Sequence, residues 1–271
     1  MDCFYINLAA RTDRREALER NFAAVRTEDW RLHRFEAVSA QDVTDAEVPG
    51  GLRPQEKGCF LSHRNLIASI ASPGPVMIME DDVLFGPQTC RGIDAALAAV
   101  GEEQWDIAFT DVFVGNVGVW PDLVRLRRVF DTTRALQLLP ALQLQFAGST
   151  SYILNGRSRA LLAALMETPG PIDLPYDIYL RQLIHQFQLK AYVTFPFATS
   201  ISDLASQSSI QPDQAGTLDG IANLFRRMVW AERDLAAHAA EIEALNAAYS
   251  DSESRTFAVL FEALMSERMR R

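Results

Sequence analysis

Lysine is nearly absent from this chain. Of 26 basic residues only Lys57 and Lys190 are lysines, and arginine supplies the rest. Acids outnumber bases, leaving a net charge of −9. That balance argues against general nucleic-acid binding and still leaves room for a local basic pocket for a nucleotide. Cysteine is scarce as well. Cys3, Cys59 and Cys90 are odd in number and lack CxxC spacing, so neither a disulfide framework nor a zinc site is expected, and a reducing compartment is. No apolar run reaches the roughly 18 residues of a membrane span. The N-terminus opens directly into a strand with Asp2 inside it, which is not the pattern of a signal peptide. The expected location is cytoplasmic, with a peripheral position at the cytoplasmic face of the membrane also allowed. What the chain does have is apolar mass. Hydrophobic residues make up 48% of 271, enough for one large core or one core with a helical appendage.

The pattern is organised around residues 76–85. Val76 to Met79 run into three consecutive carboxylates, Glu80, Asp81 and Asp82, with Pro73-Gly74-Pro75 in front and Gly86-Pro87 behind. A short apolar run bounded by turn residues predicts a buried strand of a parallel sheet. Acidic triplets are not rare in a chain with 35 acids. This one stands at the mouth of a buried strand, the edge where open α/β sheets bind ligands. Oxygen-only ligands there suit Mg²⁺ or Mn²⁺, which would bring a phosphate with it. On an extended backbone Glu80 and Asp82 share one face and Asp81 takes the other.

The remaining segments read as follows. Residues 3–8 are a strand and 13–25 a helix, with a capping-box-like Asp13-x-x-Glu16 start. Arg11, Arg14 and Arg15 cluster at that helix start, where N–H groups already favour an anion. Residues 30–38 alternate as a strand, and a polar loop follows to about Pro54. A helix over 55–71 carries Ser62, His63 and Arg64 toward the ligand edge, although a lone helical histidine is more often a structural hydrogen-bonder. Then come a helix at 88–100, a strand at 105–109, and weaker strands at 123–130 and 136–146. A strand at 148–155, helices at about 157–167 and 177–188, and a strand at 190–195 complete the domain. Residues 198–216 form a polar loop. Beyond it, 217–248 and 257–265 are amphipathic or apolar helices needing a partner in this chain or another copy. The division expected is a domain of residues 1–215 and a helical extension of 216–271.

Four segments, in order, resemble glycosyltransferase family 25, the lipooligosaccharide-biosynthesis and collagen-galactosyltransferase family. They are Ile6-Asn7-Leu8 with Arg11-x-Asp13-Arg14-Arg15; Glu56-Lys57-Gly58-Cys59-Phe60-Leu61-Ser62-His63; Ile78-Met79-Glu80-Asp81-Asp82-Val83; and Gly148 to Leu154 with Pro175-Tyr176-Asp177. The likeness covers about residues 2–210 and stops before the helical tail. Gly156 to Ala160 and Thr110-Asp111 depart from the family's usual sequence.

The resemblance implies a GT-A-like, Rossmann-type α/β domain: a mixed, mostly parallel sheet flanked by helices, with the C-terminal helical appendage outside it. It implies inverting transfer of a hexose, galactose or similar, from a UDP-sugar to a glycan or lipooligosaccharide-type acceptor, with Mn²⁺ or Mg²⁺ as cofactor. Asp82 and Glu80 are then the metal ligands, with Asp81 behind them or on the donor ribose. Asn7, Arg11 and Arg14 take the uridine and phosphate side, and Ser62 and His63 join the donor site. Asp177 is the first candidate for general base, with Asp173 and Asp111 as alternates; a helix N-cap is the competing reading of Asp177. The partners expected are the nucleotide sugar and a glycan or glycolipid acceptor, with no nucleic acid, and a homo-oligomer formed through the C-terminal helices is allowed. A divalent-metal phosphohydrolase and a non-catalytic glycan-binding relative stay open as alternatives.

Overall fold

The computed structural model describes residues 1–167, 170–202, 204, 217–233 and 256. In chain order the elements are β1 (Asp2–Asn7), α1 (Thr12–Val25), β2 (Arg31–Glu36), α2 (Ala40–Asp45), α3 (Pro54–Ser69), β3 (Val76–Glu80) and β4 (Val83–Leu84). Then follow α4 (Thr89–Val100), β5 (Ile107–Val114), α5 (Trp120–Thr133), β6 (Gln137–Pro140) and β7 (Phe146–Leu154). The rest are α6 (Arg159–Met166), α7 (Tyr176–His185), β8 (Ala191–Phe195), β9 (Ser200–Ile201) and α8 (Thr217–Met228).

Seven strands form one sheet in the order β2-β1-β3-β7-β5-β8-β6, and β4 pairs with β9 apart from it. β1 lies parallel to β2 and β3, and β5 parallel to β8. β7 is inserted antiparallel between β3 and β5, and β6 runs antiparallel to β8. Five of the seven strands therefore point one way, as expected of a mixed, mostly parallel sheet. β3 is buried on both faces, which is why its sequence is continuously apolar rather than alternating. Val76 and Ile78 join the core shared with Phe60, Leu66 and Ile67 of α3, while Met77 and Met79 join the opposite core with Leu18 and Phe22 of α1 and Ile93 of α4.

The insertion of β7 positions the site. Ser151 stands opposite both Met79 of β3 and Asp111 of β5, so the carboxyl end of β3 and the middle of β5 come to one level across a single strand. The ladder of β5 shifts register on each side of Asp111. Such irregularities re-aim side chains.

Several expectations need correction. Residues 123–130 are helix, not strand. Trp120, Leu123, Arg127 and Phe130 are the buried positions of α5, a spacing of three to four residues that fits helix and not strand. The 136–146 segment is broken into β6 and a 3₁₀ turn over Ala141–Gln143. The loop before Pro54 contains α2, which has a Ser39–Asp42 capping box. α1 has no such box: its N-cap is Arg11, whose guanidinium pairs with Asp13 instead.

Of the tail, α8 and the residues through Arg233 pack on the sheet domain. Phe225 stacks on Trp120 with centroids 4.4 Å apart, and Arg127 donates to the carbonyls of Trp230 and Ala231 at 3.2 and 3.0 Å. The expected helices to 248 and over 257–265 lie outside the described residues. Among those described, no helix is long and apolar enough to cross a membrane.

Candidate active site

β3 ends at Glu80, and Asp81 and Asp82 form a turn before β4. The turn breaks the alternation expected of an extended chain. Asp82 joins Asp81 on the α1 side, and Glu80 is left with α3. Arg14, buried in the first turns of α1, donates to Asp81 at 2.9 Å and to Asp82 at 3.4 Å, and also to the Leu204 carbonyl at 2.7 Å. Asn7 donates to Asp81 at 2.8 Å and to the Arg11 carbonyl at 3.0 Å, and its own amide oxygen accepts from Arg34. Asn7 is 1% exposed. With its side chain saturated, it orients Asp81 rather than offering a free group to a ligand. Arg11, at the sheet edge, pairs with Asp13 at 2.9 Å.

A second buried arginine comes from the far end of the chain. Arg226 of α8 donates from Nε to Asp111 at 2.5 Å. Asp111 has no exposed surface, and the Arg226 side chain keeps 7%. Asp111 is thus the anionic half of a buried ion pair rather than a carboxylate open to a substrate. Asp177 lies in the first turn of α7 but does not cap it, since the N-cap is Pro175 and no side chain closes the end. It reaches across to β7, accepting from the Gly148 N–H at 2.7 Å. Gly148 sits at φ +85, a region that favours glycine. Asp173 is exposed and accepts from the Gly51 N–H at 2.6 Å, a tie between two loops. It takes no part in the described contacts of the cluster.

The helix motif in α3 splits into two roles. A Cβ on Gly58 would stand 2.6 Å from the Val38 carbonyl oxygen, so only glycine lets α3 approach the end of β2. Ser62, one turn on, donates to the Gly58 carbonyl at 2.6 Å and accepts from the Val38 N–H at 2.8 Å. It holds the helix in place and is not aimed at a ligand. His63 is fully buried, 3.0 Å from the Tyr152 hydroxyl and stacked on Tyr176.

The cluster carries excess negative charge. Glu80 is pushed up to about 8, first by burial and then by Asp82 and Asp81, with Asp177 adding to the rise and Arg226 opposing it. Asp82 is also pushed up by burial, with Arg14 and Arg226 pulling down and Asp81 and Asp111 pushing up. Burial raises Asp111 too, against the pull of Arg226. Two arginines thus face five carboxylates. Oδ1 of Asp82 and Oδ2 of Asp111 are buried with no hydrogen-bond partner among the described residues, and such orphaned acceptors are costly unless a cation satisfies them. The donors Glu80 and Asp82 are all oxygen, so the site fits a hard divalent ion such as Mg²⁺ or Mn²⁺.

The titrations give a stability test. Burial holds His63 down to about 3, so its contribution is present above the ordinary 6.5 and lost as pH falls toward 3. Glu80 has the opposite sign. Its folded pKa is raised from 4.5 to about 8, so its contribution is present below 4.5 and lost as pH rises to 8. Between pH 6.5 and 8 Glu80 acts while His63 adds no further change. The thermal midpoint of metal-free protein should therefore fall across that window, and Glu80→Gln should flatten the slope. A midpoint that climbs with pH there contradicts the assignment.

An α/β sheet that gathers carboxylates and arginines beyond its strand ends is a ligand-binding edge of the open α/β class. The chain belongs to glycosyltransferase family 25 (LPS biosynthesis protein), whose model matches residues 1–179. A protein of Acanthamoeba polyphaga mimivirus described as a candidate glycosyltransferase is 25% identical over 166 residues, 56% of this chain. The match takes in 49% of that protein, so the chain spans about half the length of this curated relative. Among solved structures, galactosyltransferase LgtC with donor and acceptor sugar analogs has a TM-score of 0.41 at 12% identity, covering 71% of this chain and 73% of LgtC. The glycosyltransferase GlyE of Streptococcus pneumoniae TIGR4 has 0.39 at 9% identity, covering 71% and 44%.

Arg226 is a residue of the candidate site that the sequence motifs do not reveal. It lies beyond both the four motifs and the family match. A signal existed: Ala222, Phe225, Arg226 and Val229 are buried at helical spacing, and a charge on an apolar stripe implies a buried partner.

Proposed function

We propose that the protein is an inverting, divalent-metal-dependent hexosyltransferase that moves galactose or a similar sugar from a UDP-sugar to a glycan or lipooligosaccharide-type acceptor. The observation that carries this reading is the half-buried carboxylate pair of Glu80 and Asp82 at the carboxyl edge of β3, with Oδ1 of Asp82 buried and without a hydrogen-bond partner among the described residues, inside a family-25 chain. Asp82 and Glu80 would hold Mn²⁺ or Mg²⁺, which when bound neutralises the diphosphate of the donor and of departing UDP. Asn7 and Arg14 hold Asp81, and through Arg14 also Asp82, in fixed positions. Arg11, at the start of α1, borders the donor phosphates.

Asp177 acts on the acceptor. Its Oδ2 is occupied by Gly148, which leaves Oδ1 to take the hydroxyl proton. The acceptor oxygen bonds to the anomeric carbon as the bond from that carbon to the UDP oxygen breaks on the opposite face. We assign residues 216–271 to an extension of the domain, whose described part, α8, packs on β5 and supplies Arg226. A cytoplasmic site of action, at or near the membrane face that carries a glycolipid acceptor, follows from that acceptor class.

Screening UDP-sugars with Mn²⁺ and Mg²⁺ for donor turnover tests the reading. Asp82→Asn keeps size and removes a ligand charge, so turnover should fall at least about 10²-fold while the fold survives. Near-normal turnover in Asp82→Asn with metal still required would show that the ligand lies elsewhere. A phosphohydrolase would cleave the diphosphate to UMP and a sugar phosphate instead of releasing UDP with free sugar or glycoside, and a binding-only relative would turn over nothing.

A further inference from the structure

The cysteine spacing holds no CxxC pair and so predicts no zinc site. α3 carries a different pair. Cys59 and His63 are four residues apart and so share one helix flank, the flank that meets the end of β3. The Cys59 thiol, a ring nitrogen of His63 and a carboxylate oxygen of Glu80 all lie within 4.8 Å of one another.

The imidazole is clamped. Its Nδ1 is 3.0 Å from the Tyr152 hydroxyl, which bonds Tyr176 at 2.6 Å. The Tyr176 ring stacks on it with centroids 4.0 Å apart and planes within 10°. Nδ1 is therefore engaged. Nε2, on a side chain with 0% exposure, has no hydrogen-bond partner among the described residues and is the nitrogen left for Cys59 and Glu80. A ring fixed through one nitrogen with the other presented bare is how metal-binding histidines are held.

We propose that Cys59, His63 and Glu80 form a three-ligand site for a thiophilic divalent cation, Zn²⁺, with its fourth position open. Sulfur, nitrogen and oxygen together suit zinc, whereas the all-oxygen pair of Asp82 and Glu80 suits the harder ions. Bonds of about 2.0–2.3 Å to one centre bring ligand atoms about 3.3–3.8 Å apart. Small rotations of Cys59 and Glu80, both half-buried, close the remaining gap. On binding, the Cys59 thiol loses its proton to buffer and a sulfur–zinc bond forms, with no change of oxidation state. The inference goes beyond sugar transfer and gives it a control. Glu80 belongs to both ligand sets, so zinc at Cys59 draws that carboxylate from Asp82 and inhibits metal-dependent turnover.

Metal-free, reduced protein titrated with Co²⁺ should develop a sulfur-to-cobalt charge-transfer band at one equivalent, and Zn²⁺ should bleach it. Cys59→Ser should lose the band, whereas the Cys3→Ser/Cys90→Ser double variant should keep it. In the wild-type chain Zn²⁺ should also protect Cys59 from alkylation, mapped by mass spectrometry, a readout that needs no variant. Asp82→Asn should leave the band intact while lowering transfer, which separates this site from the transfer reaction. No band in the wild-type protein, a band of equal intensity in Cys59→Ser, or unprotected Cys59 at saturating Zn²⁺ overturns the proposal.

Discussion

Asp177→Asn should lower the turnover number for sugar transfer by about 10²–10⁴-fold, the range for loss of a general base. The amide oxygen of Asn can still accept from the Gly148 N–H that Asp177 engages at 2.7 Å, so the variant keeps the tie between α7 and β7 and loses only basicity. Metal-dependent donor binding should be almost unchanged, because Asp82 and the α1 arginines lie on other elements. Asp177→Ala breaks the tie as well and should cost about 1.5–3 kcal/mol of stability, the range for a hydrogen bond to a charged group. Wild-type transfer in Asp177→Asn would leave Asp177 with a purely structural role. Neither alternate would then be a ready replacement: Asp111 is locked to Arg226 and Asp173 is exposed on a loop.

Arg226→Met should destabilise the protein by about 3–5 kcal/mol, since it strands a buried Asp111 without its partner. The same change removes a positive charge that Glu80 and Asp82 both feel. Converting the pair together, as Arg226→Met with Asp111→Leu, should recover most of the loss, because a packed apolar pair can replace a buried ion pair. Denaturant unfolding of the three variants measures this. A loss below about 1 kcal/mol in Arg226→Met would mean that α8 does not hold the arginine on Asp111.

These two residues also mark how far the sequence could be read. The acidic strand end was legible because burial on both faces forces a continuous apolar run, and the three acids follow it without a gap. What lay within one element was mostly recovered, as with the helical span of α1 and the apolar run of β3. The failures at the site are tertiary. Glu80 and Asp82 were expected on one face, but a turn after Glu80 sends Asp82 to Arg14. The partner of Asp177 is a backbone N–H on another strand, and that of Asp111 is 115 residues away. Ser62 and Asn7 were read as donor contacts because they are polar residues in motifs. Both instead satisfy buried neighbours, a role that spacing alone does not reveal. At 123–130 the error was one of period: Leu123, Arg127 and Phe130 make a helix stripe in a segment rich in leucine and arginine, which favour helix.

The central claim is that a divalent ion on Asp82 and Glu80 couples the protein to a UDP-sugar. Calorimetric titration of metal-free protein with UDP-galactose, and with other UDP-sugars in parallel, tests it with no acceptor present. Binding should require Mn²⁺ or Mg²⁺ in the wild-type chain and should be lost or weakened at least about 10²-fold in Asp82→Asn. Equal affinity with and without the ion, or equal affinity in Asp82→Asn, would contradict the account.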